Sequence, residues 1–299
     1  MRRLVLLVVL AALLVAGCGG SSGPKGPPEL LFVSTKDGDY AIFGAEADGS
    51  HPYRLTKEEA DSSSPAKLFF QIEPHWSPDG KEIAFVSGRD GTAHVFVMDA
   101  DGTGTRRVTN SKLDDSHPTW SADGKWLAFS REGAIFRRPV TGGPATRLLK
   151  NAVGSASDPA YSPDGKYIAY DYRRPGFSIR EVYVMNADGT GARKVTNLRW
   201  VSGNPAWAPD SKRLAFMSNA AGVHDHNEIY TLPLADGQPT QQTFSTTDAI
   251  QPAWTPDGAL SYSLDGAIWV LRDGKYKKLT SGENNDSAPA WNPHPPEPK

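Results

Sequence analysis

The sequence predicts an all-β fold, a six-bladed β-propeller with four-stranded blades, and three observations predict it. A Pro-x-aromatic anchor recurs six times, at Pro74/Trp76, Pro118/Trp120, Pro159/Tyr161, Pro205/Trp207, Pro252/Trp254 and Pro289/Trp291. Successive aromatic residues lie 44, 41, 46, 47 and 37 positions apart, close to the period of a four-stranded blade. Gly and Pro recur at set places in each unit and no 3.6-residue apolar stripe appears, which rules out a helical solenoid of similar period. The third observation is at the ends of the chain. ELLFVS, DYAIFGAE and PYRLT (residues 29 to 56) supply three strands without an anchor, and SAPAWNPH (287 to 294) supplies an anchor without strands. Together they make one blade, so the ring closes by its C-terminal strand joining the N-terminal blade, which removes an exposed edge.

Within a unit the elements follow in order. The anchor forms the innermost strand. Ser77-Pro78-Asp79-Gly80 then fits a type I turn, with Pro at its second position and Gly free to take positive φ. Ile83-Ala84-Phe85-Val86 is apolar on both faces, as a strand covered on both sides must be. Alanine recurs there at 84, 128, 169 and 215 beside bulky residues, the large-and-small alternation of close packing. His94 to Met98 reads as the third strand, Asp99-Ala100-Asp101-Gly102 as a hairpin turn, and Arg106-Arg107-Val108-Thr109 as a polar edge strand. The last anchor departs from the rest. Asn292-Pro293-His294 replaces the Asp-Gly turn, and no strand follows it.

The N-terminus stands apart. Arg2 and Arg3 precede thirteen apolar residues, Leu4 to Ala16, a length suited to a signal-peptide core and short for a bilayer span. Leu14-Val15-Ala16-Gly17-Cys18 resembles a bacterial lipobox, which implies cleavage before Cys18 and acylation of its sulfur. Cys18 is the one cysteine of the chain, and GGSSGPKGPP after it has the composition of a flexible tether. The expected organisation is a signal peptide at 1–17, a tether at 18–28, the propeller at 29–294 and a tail at 295–299. Such a chain is exported and lipid-anchored in the bacterial envelope. The formal charge of −2 lacks the basic face that a nucleic-acid partner calls for.

Pro-x-Trp-Ser-Pro-Asp-Gly-Lys-x-Ile-Ala-Phe, followed by Val-Met-Asn/Asp-Ala-Asp-Gly and Arg-Lys/Arg-Val-Thr, resembles the repeat of TolB-type propellers over residues 29 to 294. Ala122 in place of the turn proline and Ser211 in place of the turn glycine depart from it, and a short linker stands where TolB-type proteins carry an α/β domain ahead of the repeats.

Function is expected away from the repeated turns. The residues before the anchor prolines, Glu73, His117, Asp158, Asn204, Gln251 and Ala288, should ring the mouth of the central channel, and five of them are polar. Loops on the face opposite the Asp-Gly turns add Phe69, Phe70, Arg173, Arg174, Phe177 and Trp200, aromatic and arginine content of the kind that anchors interfaces. His224-Asp225-His226-Asn227-Glu228 is the best metal candidate, with His224 and His226 as ligands, but no second cluster at metal-site spacing accompanies it. No cofactor is expected beyond such an ion. With no Gly-x-Ser-x-Gly elbow between a strand and a helix (the GGSSG of residues 19 to 23 belongs to the tether), a hydrolase reading lacks its nucleophile. The expected role is a monomeric, non-enzymatic scaffold binding an envelope protein, a peptide segment or a glycan. The alternative is a metal-assisted, lyase-like carbohydrate-active propeller.

Overall fold

A computed structural model describes residues 26–56, 70–149, 153–197, 201–219, 226–235 and 237–295. These form six four-stranded antiparallel sheets whose inner strands touch one another in sequence round a ring. The inner strands of blades II to VI are Gln71–Trp76, Asp115–Trp120, Ser155–Tyr161, Ser202–Trp207 and Ala249–Trp254. Blade I is split as expected. Its inner strand Ser287–Trp291 pairs antiparallel with Leu30–Ser34, matching Trp291 to Leu30 and Ala290 to Leu31. Asn292 fastens the join, its backbone N–H donating to the Glu29 carbonyl (2.9 Å) and its buried side-chain amide to that of Pro28 (3.3 Å). That is why this anchor carries Asn where the others carry Ser, Ala or Thr before the turn.

The repeat residues have separable jobs. In the Ser-Pro-Asp-Gly turn, the Ser77 hydroxyl donates to Asp79 Oδ1 (2.7 Å) and accepts from the Glu82 N–H (2.9 Å). Gly80 closes the turn at φ 68°, and Ser211 takes the same left-handed conformation at φ 57°. The Ser211 hydroxyl accepts from the Asp164 N–H of the preceding blade at 3.0 Å, a contact glycine could not make. In blades I, II, IV and V the threonine closing the edge motif caps the third strand. Thr56, Thr109, Thr196 and Thr243 accept from the N–H groups of Ile42, Val95, Val182 and Ile229 at 2.8 to 3.1 Å.

The core lies between blades rather than within them. Ala84, Ala128, Ala169 and Ala215 are completely buried and face the next blade, where Trp120, Ile168, Trp207 and Leu260 fill the space. Their bulky neighbours, such as Ile83 and Phe85, face the preceding blade. The alternation thus lets each sheet interleave with two others.

The anchor aromatic also ties blade to blade. Trp120, Trp207 and Trp254 donate their indole N–H to the carbonyls of His75, Ala160 and Ala206 in the preceding blade, at 3.1, 2.9 and 3.2 Å. Trp291 reaches blade VI through a relay, donating to Ser261 Oγ (2.8 Å), whose hydroxyl donates to the Ala253 carbonyl (3.2 Å). The Trp76 indole N–H, at the join between the split blade and blade II, is buried without a partner among the described residues. Substituting phenylalanine should therefore separate the positions. Trp207→Phe loses a buried hydrogen bond as well as contacts and should cost about 2–3 kcal/mol in denaturant unfolding. Trp76→Phe should cost about 1 kcal/mol less, because no bond is lost there. Equal losses would mean the indole N–H groups do not hold the blades.

Candidate functional site: the channel ring

The six residues before the anchor prolines share one conformation. Glu73, His117, Asp158, Asn204, Gln251 and Ala288 have φ between 49° and 56°, a left-handed backbone at six non-glycine positions. Each sits where the pairing of the inner strand with its neighbour slips by a bulge, as between Ile72 and His75 or Ser116 and Thr119. A bulge re-aims a side chain, and here all six blades use it identically. Backbone strain of about 1–2 kcal/mol per residue is repeated around the ring. The residues stand at the third position of six-residue strands in blades II, III, V and VI, within the channel rather than on its rim.

Three blades bring their side chains together. His117 Nε2 lies 2.9 Å from Asp158 Oδ1 and 3.3 Å from Glu73 Oε1, bridging blades II and IV. The His117 N–H donates to Glu73 Oε2 at 2.5 Å, and Asn204 Nδ2 donates to Asp158 Oδ1 at 2.8 Å. Gln251 Oε1 accepts from the Ala288 N–H (3.0 Å) and from the Ser263 hydroxyl (3.2 Å), so the ring continues through blade VI into blade I. One half of the channel is ionic and the other is lined by amides and Ala288.

Asp171 completes the ionic half, and sequence reasoning missed it. It lies on the second strand of blade IV, at a place that Val86, Ser130, Met217 and Ser263 occupy in blades II, III, V and VI. A carboxylate at an otherwise apolar or small position was the available signal. Asp171 is 3% exposed; it accepts from Ser157 Oγ (3.2 Å) and from Arg180 Nη1 (2.8 Å). Burial raises the Asp171 carboxyl far above the usual range, and the charge and hydrogen bond of Asp158 add to this against the pull of Arg180. Burial would lift Asp158 too, yet its bonds to His117, Asp171 and Ser157 hold it below the usual range. Burial would lower His117, but the hydrogen bond and charge of Asp158, with the charge of Glu73, win and raise it to about 9. Glu73 is raised, chiefly by burial. The raised His117 and the lowered Asp158 thus favour an imidazolium–carboxylate pair, with Asp171 behind it pushed toward its protonated form.

The loop-face candidates divide. Arg173, Arg174 and Phe177 come together around a cavity of about 380 Å³ over blade IV, beside Ser155 at the start of the strand that carries Asp158. Arg174 lies 4.6 Å over the Phe177 ring, which is 54% exposed. Phe70 is half-buried and bridges to Tyr40. Phe69, Trp200, His224 and Cys18 lie outside the described residues. His226 bonds to Glu228 at 3.3 Å, and Glu228 is buried and takes bonds from Thr243 and from the Ser245 N–H (2.6 Å). Glu228 therefore ties the start of its strand to the following loop. Among the described residues no group of three His, Cys, Asp or Glu side chains is arranged to hold a metal.

Comparisons with known proteins follow the fold. The family model for the TolB beta propeller domain matches residues 67–150 and 143–294. An uncharacterized protein of Agrobacterium fabrum, Atu1656, is 30% identical over 253 residues, covering 81% of this chain and 68% of that protein. The protein TolB homolog of Chlorobium luteolum is 28% identical over 207 residues, 67% of this chain and 45% of its own length. The chain spans less than half the length of that relative, and 18% of the Tol-Pal system protein TolB of Geobacter sulfurreducens. Among solved structures, TolB from Acinetobacter baumannii superposes with a TM-score of 0.74 at 20% identity, covering 89% of this chain and 66% of that one. An oligogalacturonate lyase in complex with manganese superposes with a TM-score of 0.56 at 18% identity, covering 84% and 73%. Likenesses at such identity are of fold alone. With its repeats matched from residue 67 to 294, the chain belongs to the TolB beta-propeller family.

Proposed function

We propose that the protein is a non-enzymatic, lipid-anchored scaffold of the bacterial envelope that binds a peptide segment of another envelope protein in its channel. The observation that carries this is the strained ring. Six non-glycine residues hold left-handed backbone to point side chains into one channel, and three form a bridged ionic cluster. Repeated strain of this kind is stored where function needs positioned groups. The amide-lined half offers donors and acceptors for a peptide backbone, and the ionic half discriminates charge. Arg173, Arg174 and Phe177 extend the contact over blade IV. The names of relatives that belong to the Tol-Pal system support an envelope partner.

The test compares proteins co-purified from native membranes with wild-type chain and with a Glu73→Ala/His117→Ala/Asp158→Ala variant. A partner held by the wild type should be lost from the variant. An unchanged set of partners would overturn the channel as the binding element.

The anchor is tested separately. Cys18→Ser should move the protein from the membrane fraction to the soluble one, because acyl chains contribute roughly 0.8 kcal/mol per buried methylene. Retention of the variant in the membrane fraction would mean that acylation does not hold it.

A further inference from the structure

The face of the Asp-Gly turns carries a second feature, and one missing residue creates it. In four successive blades the second strand opens with a long side chain, Glu82, Trp126, Tyr167 or Arg213, each placed one residue before the partner of the anchor aromatic. Two of these visibly cover the anchor of the next blade. Tyr167 stacks on Trp207 with centroids 6.2 Å apart, and Arg213 lies 4.9 Å over Trp254. Blade VI reads Thr255-Pro256-Asp257-Gly258-Ala259-Leu260, one residue shorter than Ser77 to Ile83, and the covering position is Ala259. The next anchor, Trp291, has lost its cover.

A cavity of about 770 Å³ opens there, between blades VI and I, lined by Trp291, Tyr276, Asp48, Asp257, Arg272 and Lys277 among others. Trp291 is fixed in orientation by its bond to Ser261, and Tyr276 by donating its hydroxyl to the Gln242 carbonyl at 2.7 Å. Carboxylates and cations share the rim, with Arg272 paired to Asp257 at 2.9 Å. Such a site disfavours a strongly charged ligand of either sign. A purely apolar one would desolvate rim groups without replacing their hydrogen bonds. A saccharide meets both demands. Its apolar ring face fits against an indole, and its hydroxyls donate to carboxylates and accept from guanidinium and ammonium groups. The volume suits a ligand of a few sugar rings.

We propose that this cleft, on the face of the Asp-Gly turns, is a saccharide-binding site distinct from the channel. The full chain is titrated with chitotetraose, cellotetraose and maltotetraose to about 10 mM, following tryptophan fluorescence and heat, a range that reaches millimolar affinities. At least one should bind. Ala259→Arg restores the cover seen at Trp254 and should weaken that binding at least about tenfold, or 1.4 kcal/mol. Tyr276→Ala, at a half-exposed edge position, should weaken it in the same direction while the melting temperature holds. Absence of binding by all three sugars, or binding that survives both substitutions, would overturn the proposal. So would binding that appears only after residues 296–299 are removed, which would assign the cleft to the chain's own tail.

Discussion

A chain ending at residue 286 should fail to fold to a closed ring. The strand Ser287–Trp291 supplies the inner strand of blade I, and its loss uncovers Leu30, Leu31 and Val33, all essentially buried, together with their backbone edge. It also removes Asn292 and its bonds to Glu29 and Pro28. Whole-domain stabilities are about 5–15 kcal/mol, and this deletion should cost more than about 5 kcal/mol. Gel filtration and circular dichroism should show an expanded or aggregated chain. A synthetic peptide of residues 287–295 added in trans should restore the compact form. A truncated chain that stays compact and melts like the full one would mean that the ring is not latched there.

His117→Ala should give the largest effect of any single substitution in the channel. It leaves the Glu73 and Asp158 carboxylates facing each other without the imidazolium between them. Breaking a fully buried ion pair costs about 3–5 kcal/mol, and with the side chain 35% open to water about 2–3 kcal/mol is expected here. The pH profile carries the same signature. The folded-state value of His117, about 9, lies above its unfolded value near 6.5. Its contribution is therefore fully present below pH 6.5 and lost as pH climbs through 9. After allowance for solvent that contribution is about 1–2 kcal/mol. Asp171, raised by burial and by Asp158, also binds its proton in the folded state and pulls stability down over rising pH. Asp158 acts oppositely, its contribution being lost only as pH falls through its depressed value. Stability should thus fall between pH 6.5 and 9 in the wild type, and less steeply in His117→Ala. An identical slope in both would mean that His117 does not carry the pH dependence.

The architecture was legible because each blade repeats the same local chemistry. Pro-x-Trp, the Asp-Gly turns and the split unit at the two ends all state their roles through spacing, and the strands form where they imply. The ring of Glu73, His117 and Asp158 was legible as a list of positions, since each immediately precedes an anchor proline. What the list could not contain was the left-handed bulge that turns the side chains inward, because that conformation depends on pairing with a second strand. Asp171 escaped for a related reason. It belongs to a different strand, and only the fold sets it behind Asp158. The Trp291 cleft is the converse case. The shortened Thr255-Pro256-Asp257-Gly258-Ala259 turn is plain in the sequence, but its consequence falls on a residue more than thirty positions away, across the blade join.

The convergence of three blades on one imidazole is most directly tested by nuclear magnetic resonance. With the His117 ring labelled, its nitrogen and Cε1 shifts are followed from pH 5 to 11. A single titration centred near pH 9 is expected, displaced toward the ordinary histidine value by Asp158→Asn. A midpoint at or below 6.5 in the wild-type protein would show that His117 is not held between Glu73 and Asp158, and would contradict the channel ring.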